Sequence, residues 1–324
     1  MDNRPQSCSS LMVSDSVGAL QFAMTLRATR AWPKCAEADN AMEPIRLLVM
    51  DLDGTLLPHG GVISARTVDA IRAAQAKGVI ATISSGRNIP SFLPYAQRIG
   101  VDGPLIGMQG AIARELPAPG DPSVGRLVRH IPFESQLGAE AIAWCKEHGL
   151  WGHTVVENNL HFDDRDPHAV IYRGWMEGSA HERLATVPDL VAHLAATPLQ
   201  LSKVVAHAPA GHADGVLEAA RATFGDRLDV TISHPEYLEF TAPGVNKGAA
   251  LRWLADRLEI PLAQTMAIGD QHNDLEMLAA AGHGVAMGGA PAAVLAAARY
   301  EARLCEEDGA ARMIERLILN SGGE

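Results

Sequence analysis

The stretch Leu47–Leu57 constrains the fold of this 324-residue chain more than any other. It reads Leu-Leu-Val-Met-Asp-Leu-Asp-Gly-Thr-Leu-Leu, an apolar run followed by two carboxylates, a glycine and a hydroxyl. A short continuous apolar run of this kind predicts a strand that is buried on both faces, as in a parallel sheet. Ligands bind outside the carboxyl ends of such strands, so we expect Asp51 and Asp53 to reach into a crevice.

The two aspartates also predict a metal. Because side chains alternate along a strand, Asp51 and Asp53 project in similar directions. Two carboxylates at such a short distance repel each other unless a cation or a shared proton offsets their charge. Taken alone, the string also fits an ordinary turn in which Gly54 supplies the backbone freedom.

Strands and helices alternate on either side of this stretch. Ser64 is a candidate N-cap for a helix over 65–77, and the apolar segment Val79–Ile83 predicts a second buried strand. A strand, a helix and a strand within about 40 residues predict a parallel βαβ unit. Further predicted elements are a helix over 90–99, a strand over 105–107, a helix over 247–258, strands over 265–270 and 284–287, and helices over 291–299 and 309–319. We therefore predict an α/β fold with a Rossmann-like, doubly wound parallel sheet as its core, at residues 44–112 and 242–324.

Residues 113–241 follow a different pattern. They carry short alternating runs, such as His153–Val156 and Leu160–Phe162, and helices near 135–148 and 212–224. Hairpins and helices without βαβ order predict a separate α+β cap domain at 113–241, inserted into the core. Its candidate substrate contacts are aromatic, amide and basic groups: Trp151, His153, Asn158, Asn159 and the stretch Tyr172–Met176. The alternative is that Trp151 and Trp175 pack the core of the cap itself.

Composition limits the class of partner. A net charge of −11 argues against general binding to nucleic acid or to a membrane surface, because both are anionic. Four well separated cysteines form no C-x-x-C pair, which favours free thiols in a reducing cytoplasm. Residues 1–43 show no persistent period and no signal-peptide core, so we expect a disordered extension, with Met42 as the natural start. Monomer and homodimer remain open.

Four polar sites follow strand ends or begin a helix: Asp51 and Asp53, Ser85 and Arg87, Lys247, and Asp270 and Asp274. The topology of a doubly wound sheet places three of them near one crevice, and Lys247 would reach it from its helix. Several carboxylates suit Mg²⁺, which prefers oxygen ligands and keeps waters and phosphate oxygens as the others.

Phosphoryl transfer needs these groups. We expect Asp51 to attack phosphorus and form an aspartyl-phosphate. Asp53 would protonate the leaving oxygen and then deprotonate the attacking water. Mg²⁺, Lys247 and the Ser85 hydroxyl would offset the charge on the transferring phosphoryl group.

These segments resemble the four ordered motifs of haloacid dehalogenase (HAD) superfamily phosphatases, and the insertion resembles the cap of the Cof-type branch, a type IIB cap. The matching strings are Asp51-Leu-Asp-Gly-Thr-Leu56, Ser84-Ser-Gly-Arg87, Asn246-Lys-Gly248 and Gly269-Asp-Gln-His-Asn-Asp274. The resemblance covers nearly all of residues 45–320.

The resemblance implies a role for each motif residue. Asp51 is the implied nucleophile, and Asp53 is the acid/base whose main-chain carbonyl binds Mg²⁺. Asp270 is the implied metal ligand, with Asp274 and Asn273 as metal ligands or supports of the metal site. The implied phosphate-binding set is Ser85, Gly86, Arg87 and Lys247. Two positions depart from the branch: Ser85 stands where threonine is usual, and Gln109 stands where asparagine is usual.

Some residues also have a simpler interpretation. Lys247 could be a solvated residue of a first helical turn, Asp274 an ordinary first-turn acid, and Arg87 an exposed ion pair. Ten of the 13 histidines lie between His130 and His234 without metal-binding spacing, so we predict scattered surface histidines and no zinc site.

We therefore predict a Mg²⁺-dependent phosphomonoester hydrolase that acts on small phosphorylated metabolites. Sugar phosphates and phosphorylated cofactors such as pyridoxal phosphate are the candidate substrates. The alternatives are a phosphotransferase or mutase, and a non-catalytic module that binds a phosphorylated ligand.

Overall fold

The computed structural model describes residues 43–177, 179, 181–209, 213–234 and 236–320. The predicted extension lies outside the described residues, apart from the exposed Glu43. The strands are β1 (Leu47–Met50), β2 (Ile80–Ile83), β3 (Leu105–Gly107), β4 (Ile112–Arg114), β5 (Leu127–His130), β6 (Phe133–Glu134), β7 (Trp151–Val156), β8 (Asn159–Asp163), β9 (Arg183–Val187), β10 (Gln200–Leu201), β11 (Lys203–His207), β12 (Asp229–His234), β13 (Tyr237–Thr241), β14 (Thr265–Gly269), β15 (His283–Ala286) and β16 (Tyr300–Glu301). The helices are α1 (Ala65–Ala76), α2 (Ile89–Ile99), α3 (Ser135–Glu147), α4 (His168–Trp175), α5 (Leu190–Ala196), α6 (Ala213–Phe224), α7 (Lys247–Arg257), α8 (Leu275–Ala280), α9 (Ala292–Ala297) and α10 (Gly309–Ile314).

The predicted parallel sheet is confirmed. Five parallel strands lie in the order β16-β15-β14-β1-β2, and all four residues of β1 are buried. From β1 the chain proceeds to β2 on one side and later to β14, β15 and β16 on the other. The reversal of strand order therefore lies between β1 and β14, which is where ligands bind in doubly wound sheets.

The predicted strand at 105–107 exists and lies beside the end of β2, with one parallel bridge between Ser84 and Ile106. Its longer pairing is antiparallel, in a sheet with β4 and β5. A parallel neighbour needs a crossover of a dozen or more residues, whereas β3 and β4 are joined by Met108–Ala111. Met108 and Gln109 complete this short reversal with φ angles of 51° and 58°, in the left-handed region.

The last predicted helices are shorter in the structure. Helix α9 covers Ala292–Ala297 rather than 291–299. Helix α10 ends at Ile314, and a π-helical turn follows at Glu315–Leu319. Among the described residues, no helix has both the length and the apolar character that crossing a membrane requires.

Residues of the predicted insertion build a second sheet. It has six strands in the order β12-β13-β11-β7-β8-β9, antiparallel except for the parallel pair β8 and β9. Helices α3 and α6 pack against one face, where Trp144 contacts Phe224 and Phe240 edge to face. The domain boundaries stay a prediction, and strand β4 runs across the predicted boundary at 112/113.

Candidate active site

The crevice at the reversal point contains the first and last predicted motifs. Strands β1 and β14 pair in register at Met50 and Ile268, and the Asp51 amide donates to the Ile268 carbonyl at 2.9 Å. Asp51 directly follows β1 and Asp270 directly follows β14, so both carboxylates leave the sheet at the same edge. The sequence therefore folds these distant acids into one site through strand pairing alone.

Lys247 lies at the centre of this crevice. It is the first residue of α7, which the Asn246 side chain caps by accepting from the Ala249 amide at 2.7 Å. The Lys247 side chain is fully buried, and its ammonium donates to Asp51 Oδ1 at 2.5 Å and to Asp274 Oδ1 at 2.6 Å. Lys247 is therefore not the solvated residue that an isolated helix start would suggest.

Burial and the carboxylates act in opposite directions on this lysine. Burial lowers the pKa of Lys247, but the Asp274 and Asp51 carboxylates outweigh that effect and hold the pKa above its ordinary value. The side chain thus stays an ammonium and supplies a fixed positive charge to the crevice.

We call Asp51, Asp270 and Asp274 the acid cluster. One oxygen from each lies within 4.8 Å of the others, and the described residues contain no second group of three or more such side chains at this spacing. Burial raises the pKa of Asp51 well above its ordinary value, with further increases from Asp274 and Asp270 that Lys247 opposes. Burial and the Asp274 carboxylate raise the pKa of Asp270 to about 6.

The acid cluster fits a hard divalent cation. Three carboxyl groups share one ammonium, so ionising all three would leave two excess negative charges in a buried site. A divalent cation would offset this excess charge, and all the donors are oxygens, as Mg²⁺ prefers. Among the described residues, no histidine or cysteine joins the cluster, so the donor set does not suit zinc.

Local contacts fix the two acids that follow β14. Asp274 Oδ2 accepts from the backbone amides of Asp270 and Gln271, each at 3.0 Å, so it closes the turn between them. The Thr55 hydroxyl donates to Asp270 Oδ1 at 2.9 Å. Gly54 has a φ of +80°, and a Cβ there would lie 2.4 Å from Asp270 Oδ2, so this position requires glycine.

Asp53 is not a member of the acid cluster. Its carboxylate forms a two-bond ion pair with Arg87, in which Arg87 Nε donates to Oδ2 at 2.7 Å and Arg87 Nη2 donates to Oδ1. The two side chains are 42% and 39% exposed. The ion-pair interpretation of Arg87 therefore describes this structure, and the main-chain metal contact of Asp53 stays a prediction.

The second motif lies beside this pair. Ser85 is buried, and its hydroxyl accepts from the Arg87 amide at 3.2 Å. Gly86 accepts a hydrogen bond from Lys203 at its carbonyl, and a Cβ on Gly86 would lie 2.5 Å from Gln109 Nε2. All three motif residues line a cleft of about 1290 Å³, together with Asp51, Asp53 and Asp270.

The same cleft extends onto the second sheet and helix α4. Of the predicted substrate contacts, His153, Tyr172, Trp175 and Met176 line it, whereas Trp151, Asn158 and Asn159 are absent from the described lining. Trp175 is 65% exposed, so it does not pack the interior of the cap.

A chain of hydrogen bonds that the sequence did not reveal joins the two sheets. Asn273 Nδ2 donates to Gln109 Oε1 at 3.0 Å, and Gln109 Nε2 donates to Glu239 Oε2 at 2.9 Å. Glu239 also accepts from Lys203 Nζ at 2.9 Å and from the Ser233 hydroxyl at 2.8 Å. The available signal was a single Lys or Glu in each of two strands that carry no other acidic, lysine or arginine side chain, Lys203 in β11 and Glu239 in β13.

The prediction of scattered surface histidines is wrong for the cleft. His153 and His207 are buried, and His153 Nδ1 lies 3.1 Å from His207 Nε2. His168 stacks on His207 with ring centroids 3.9 Å apart. Periodicity could not reveal this cluster, because its members come from β7, β11 and α4. His212 and the side chain of His234 lie outside the described part of the chain.

Comparison with known proteins gives consistent matches. Residues 48–314 match the model of the haloacid dehalogenase-like hydrolase family. The 5-amino-6-(5-phospho-D-ribitylamino)uracil phosphatase of Bacillus subtilis is 29% identical over 278 residues, which cover 83% of this chain and 96% of that protein. The HMP-PP phosphatase of Cronobacter sakazakii is 30% identical over 256 residues, which cover 78% and 87%. The solved structure of a HAD subclass IIB sugar phosphatase matches with a TM-score of 0.68 at 23% identity, covering 84% of this chain and 98% of that one.

Proposed function

Since the chain belongs to the haloacid dehalogenase-like hydrolase family, in its Cof-type branch, we propose that this phosphatase hydrolyses phosphomonoesters of small metabolites with Mg²⁺ and an aspartyl-phosphate intermediate. The observation that carries the proposal is the buried Lys247 ammonium, which bridges Asp51 and Asp274 beside Asp270 at the bottom of an open cleft. A carboxylate held there can attack a phosphoryl group that enters from the cleft.

Asp51 is the proposed nucleophile. Its carboxylate oxygen attacks phosphorus, the bond from phosphorus to the ester oxygen breaks, and the leaving alcohol takes a proton from Asp53. Asp53 then takes a proton from the water that attacks the phosphorus of the aspartyl-phosphate. This second step releases inorganic phosphate and regenerates the Asp51 carboxylate.

Arg87 connects proton transfer with phosphate binding in this proposal. It pairs with the Asp53 carboxylate through two hydrogen bonds. An incoming phosphate competes for the guanidinium, because Arg binds phosphate and carboxylate oxygens in the same two-bond geometry. Asp53, freed from the guanidinium, takes up a proton from water and holds it for the leaving alcohol. Arg87 then joins Lys247, the Ser85 hydroxyl and Gly86 around the phosphoryl oxygens.

Asp51, Asp270 and Asp274 would hold the metal, with the main-chain carbonyl of Asp53 as a further oxygen. Bound Mg²⁺ supplies positive charge to the phosphoryl oxygens. Asn273 lines the cleft, and its Oδ1 is buried without a hydrogen-bond partner among the described residues. This acceptor can take a donor that arrives with substrate or water, which supports the proposed role of Asn273 beside the metal site.

The names of the relatives support a small substrate. They describe phosphatases of 5-amino-6-(5-phospho-D-ribitylamino)uracil and of HMP-PP. We accordingly propose a small phosphorylated substrate, either a sugar phosphate or a phosphorylated cofactor such as pyridoxal phosphate. The proposal includes no binding to nucleic acid or to a membrane surface. It takes the cytoplasm as the location of the enzyme.

The test is phosphate release from a panel of esters, with Mg²⁺ or with EDTA, by the wild type and by Asp51→Asn. We expect release that requires Mg²⁺ and that Asp51→Asn lowers by about 10⁴-fold or more. Transfer of phosphate to a sugar hydroxyl without free phosphate would instead identify a phosphotransferase or mutase. Ester binding without turnover by the folded wild type would identify a binding module.

A further inference from the structure

We propose that the second sheet and helix α4 form a binding site for a planar, uncharged aromatic ring, so that the favoured substrate is the phosphate ester of an alcohol carrying such a ring. The inference rests on the proposed function for the phosphate end of the substrate, and it adds the chemical class of the leaving group. We call the site the aromatic face: His153, Val155, Leu160, Val205 and Tyr237 on the sheet, with Tyr172 and Trp175 on α4.

Strand register places the sheet residues on one face. Val155 pairs with Leu160, Val205 pairs with both His153 and Glu239, and Lys203 pairs with Val155. Residues paired across neighbouring strands project to the same side of a sheet. The intervening residues, such as Val204 and Phe240, project to the other side, where Phe240 packs against Trp144 and Phe224. The aromatic face is therefore the side of the sheet that forms the cleft.

Helix α4 adds two rings to this surface. The Tyr172 ring centroid lies 4.6 Å from that of His153 and 5.0 Å from that of Trp175. His153 in turn stacks on Phe162 of the neighbouring strand at 4.3 Å, which fixes the plane of the His153 ring. Aromatic side chains at these spacings favour another ring, edge to face or offset-stacked, over a flexible chain.

Polar groups near the aromatic face already have partners. Glu239 accepts from Lys203 and Ser233 at one oxygen and from Gln109 at the other. His153 Nδ1 is bonded to His207. A sugar carries a hydroxyl on nearly every carbon, and burying such hydroxyls against groups that are already bonded costs free energy. An aromatic ring makes no such demand.

The charge and the volume of the cleft further restrict the kind of ring that can bind there. Burial lowers the pKa of His153 well below its ordinary value and that of His207 to about 3, so both rings are neutral at physiological pH. The carboxylates of Glu177, Glu182 and Glu239 line the cleft and disfavour a second anionic group on the substrate. Because ligand pockets usually measure about 300–1,000 Å³, a cleft of about 1290 Å³ has room for a phosphate arm and a ring together.

The experiment measures binding by calorimetry to Asp51→Asn in the presence of Mg²⁺. Benzyl phosphate and ribose 5-phosphate share the phosphate, so their affinity ratio reports the uncharged ring. We expect benzyl phosphate to bind at least about tenfold more tightly, since its ring gains stacking contacts with aromatic side chains that ribose lacks. Adding Trp175→Ala should remove most of this preference, and Trp175→Phe should keep more of it than Trp175→Leu.

Val170→Ala is the matched control, because Val170 is 70% exposed on the same helix and is absent from the described lining of the cleft. It should leave the ratio unchanged. Equal affinity for the two esters, or an equal loss for both in Trp175→Ala, would overturn the aromatic site. Benzyl alcohol, which has the ring without the phosphate, separates the two proposals: if it binds in a manner that depends on Trp175 while no ester is hydrolysed, the aromatic site stands and the hydrolase fails. If the wild type hydrolyses ribose 5-phosphate faster than the aromatic ester, the hydrolase stands and the aromatic site fails.

Discussion

The two ends of the cleft differ in how their buried polar groups are balanced. In the crevice, three carboxylates surround one fully buried ammonium, so the charges do not cancel. At the aromatic face, neutral rings surround a single Lys203–Glu239 pair whose oxygens and ammonium all have partners. A site with excess negative charge is suited to bind cations, whereas a site whose buried charges cancel is suited to select a ligand by its shape.

Loss of Lys247 should have the largest effect. Lys247→Met leaves Asp51 and Asp274 buried without their shared cation, which should lower the free energy of unfolding by about 3–5 kcal/mol and abolish phosphate release. Urea unfolding measures the loss, and Mg²⁺ should recover part of it by replacing the missing positive charge. Arg252→Met, which removes an exposed positive charge from the same helix, is the control. If Lys247→Met keeps wild-type stability, the crevice is not an unbalanced charge cluster.

The Asp53–Arg87 pair should behave in the opposite way, because it is partly exposed. Asp53→Asn should lower the rate of phosphate release by about 10²–10⁴-fold, as expected when an acid/base group is lost. The free energy of unfolding should change by only about 0–1 kcal/mol. Arg126→Gln, which breaks the exposed Glu115 pair, controls for surface ion pairs in general. A large loss of stability with unchanged turnover would assign the pair a structural role.

The buried neutral histidines His153 and His207 should make the free energy of unfolding depend on pH. Their folded pKa values lie below the unfolded value of about 6.5, so the unfolded chain binds more protons and stability falls as pH drops from 7 toward 4. His207, whose folded pKa is about 3, should cost about 2 kcal/mol at pH 5, and His153 acts in the same direction. The groups facing His207 are His153, His168, Tyr172 and Tyr237.

Urea unfolding between pH 5 and 7 tests this expectation. His207→Phe keeps a ring in the stack and removes one titrating group. It should therefore reduce the pH dependence of the free energy of unfolding by the contribution of one histidine. His59→Gln replaces an exposed imidazole and is the matched control. An unchanged slope in His207→Phe would mean that another group determines the acid sensitivity.

The sequence was informative where topology decides position. Asp51, Lys247 and Asp270 follow strand ends or begin a helix, and a doubly wound sheet brings such positions together irrespective of the intervening residues. The parallel sheet was predictable for the same reason, since apolar runs and helices alternate. The left-handed turn at Met108 and Gln109 has no composition signal, so the antiparallel pairing of β3 was missed.

The aromatic face was less predictable because it depends on docking rather than on chain order. His153 faces the cleft only because β7 pairs with β11 in one register, and a shift by one residue would turn it to the other side. Helix α4 was not predicted as a helix, and its contacts with His207 come from tertiary packing. The Lys203–Glu239 pair joins two strands that no local pattern connects.

Gln109 lies between the two regions, and its replacement should have the smallest effect but the most specific one. Its amide contacts Glu239 on one side and Asn273 on the other, while its backbone has a φ of 58°. Gln109→Ala removes both hydrogen bonds and keeps the unfavourable backbone, so it should cost about 1–3 kcal/mol. Gln109→Gly also removes both bonds but tolerates the left-handed conformation, and should be about 1 kcal/mol less destabilising than Gln109→Ala.

Gln109→Asn distinguishes length from chemistry at this position. Asn keeps the amide and tolerates a positive φ, but it is one methylene shorter than Gln and should not reach both partners. We expect urea unfolding to rank the variants as wild type, then Gln109→Asn and Gln109→Gly, then Gln109→Ala. If Gln109→Gly is instead the least stable of the three, relief of the left-handed backbone fails to offset the flexibility that glycine adds, and the backbone turn does not limit stability at this position. The difference between the wild type and Gln109→Ala then reports the loss of the hydrogen bonds to Glu239 and Asn273.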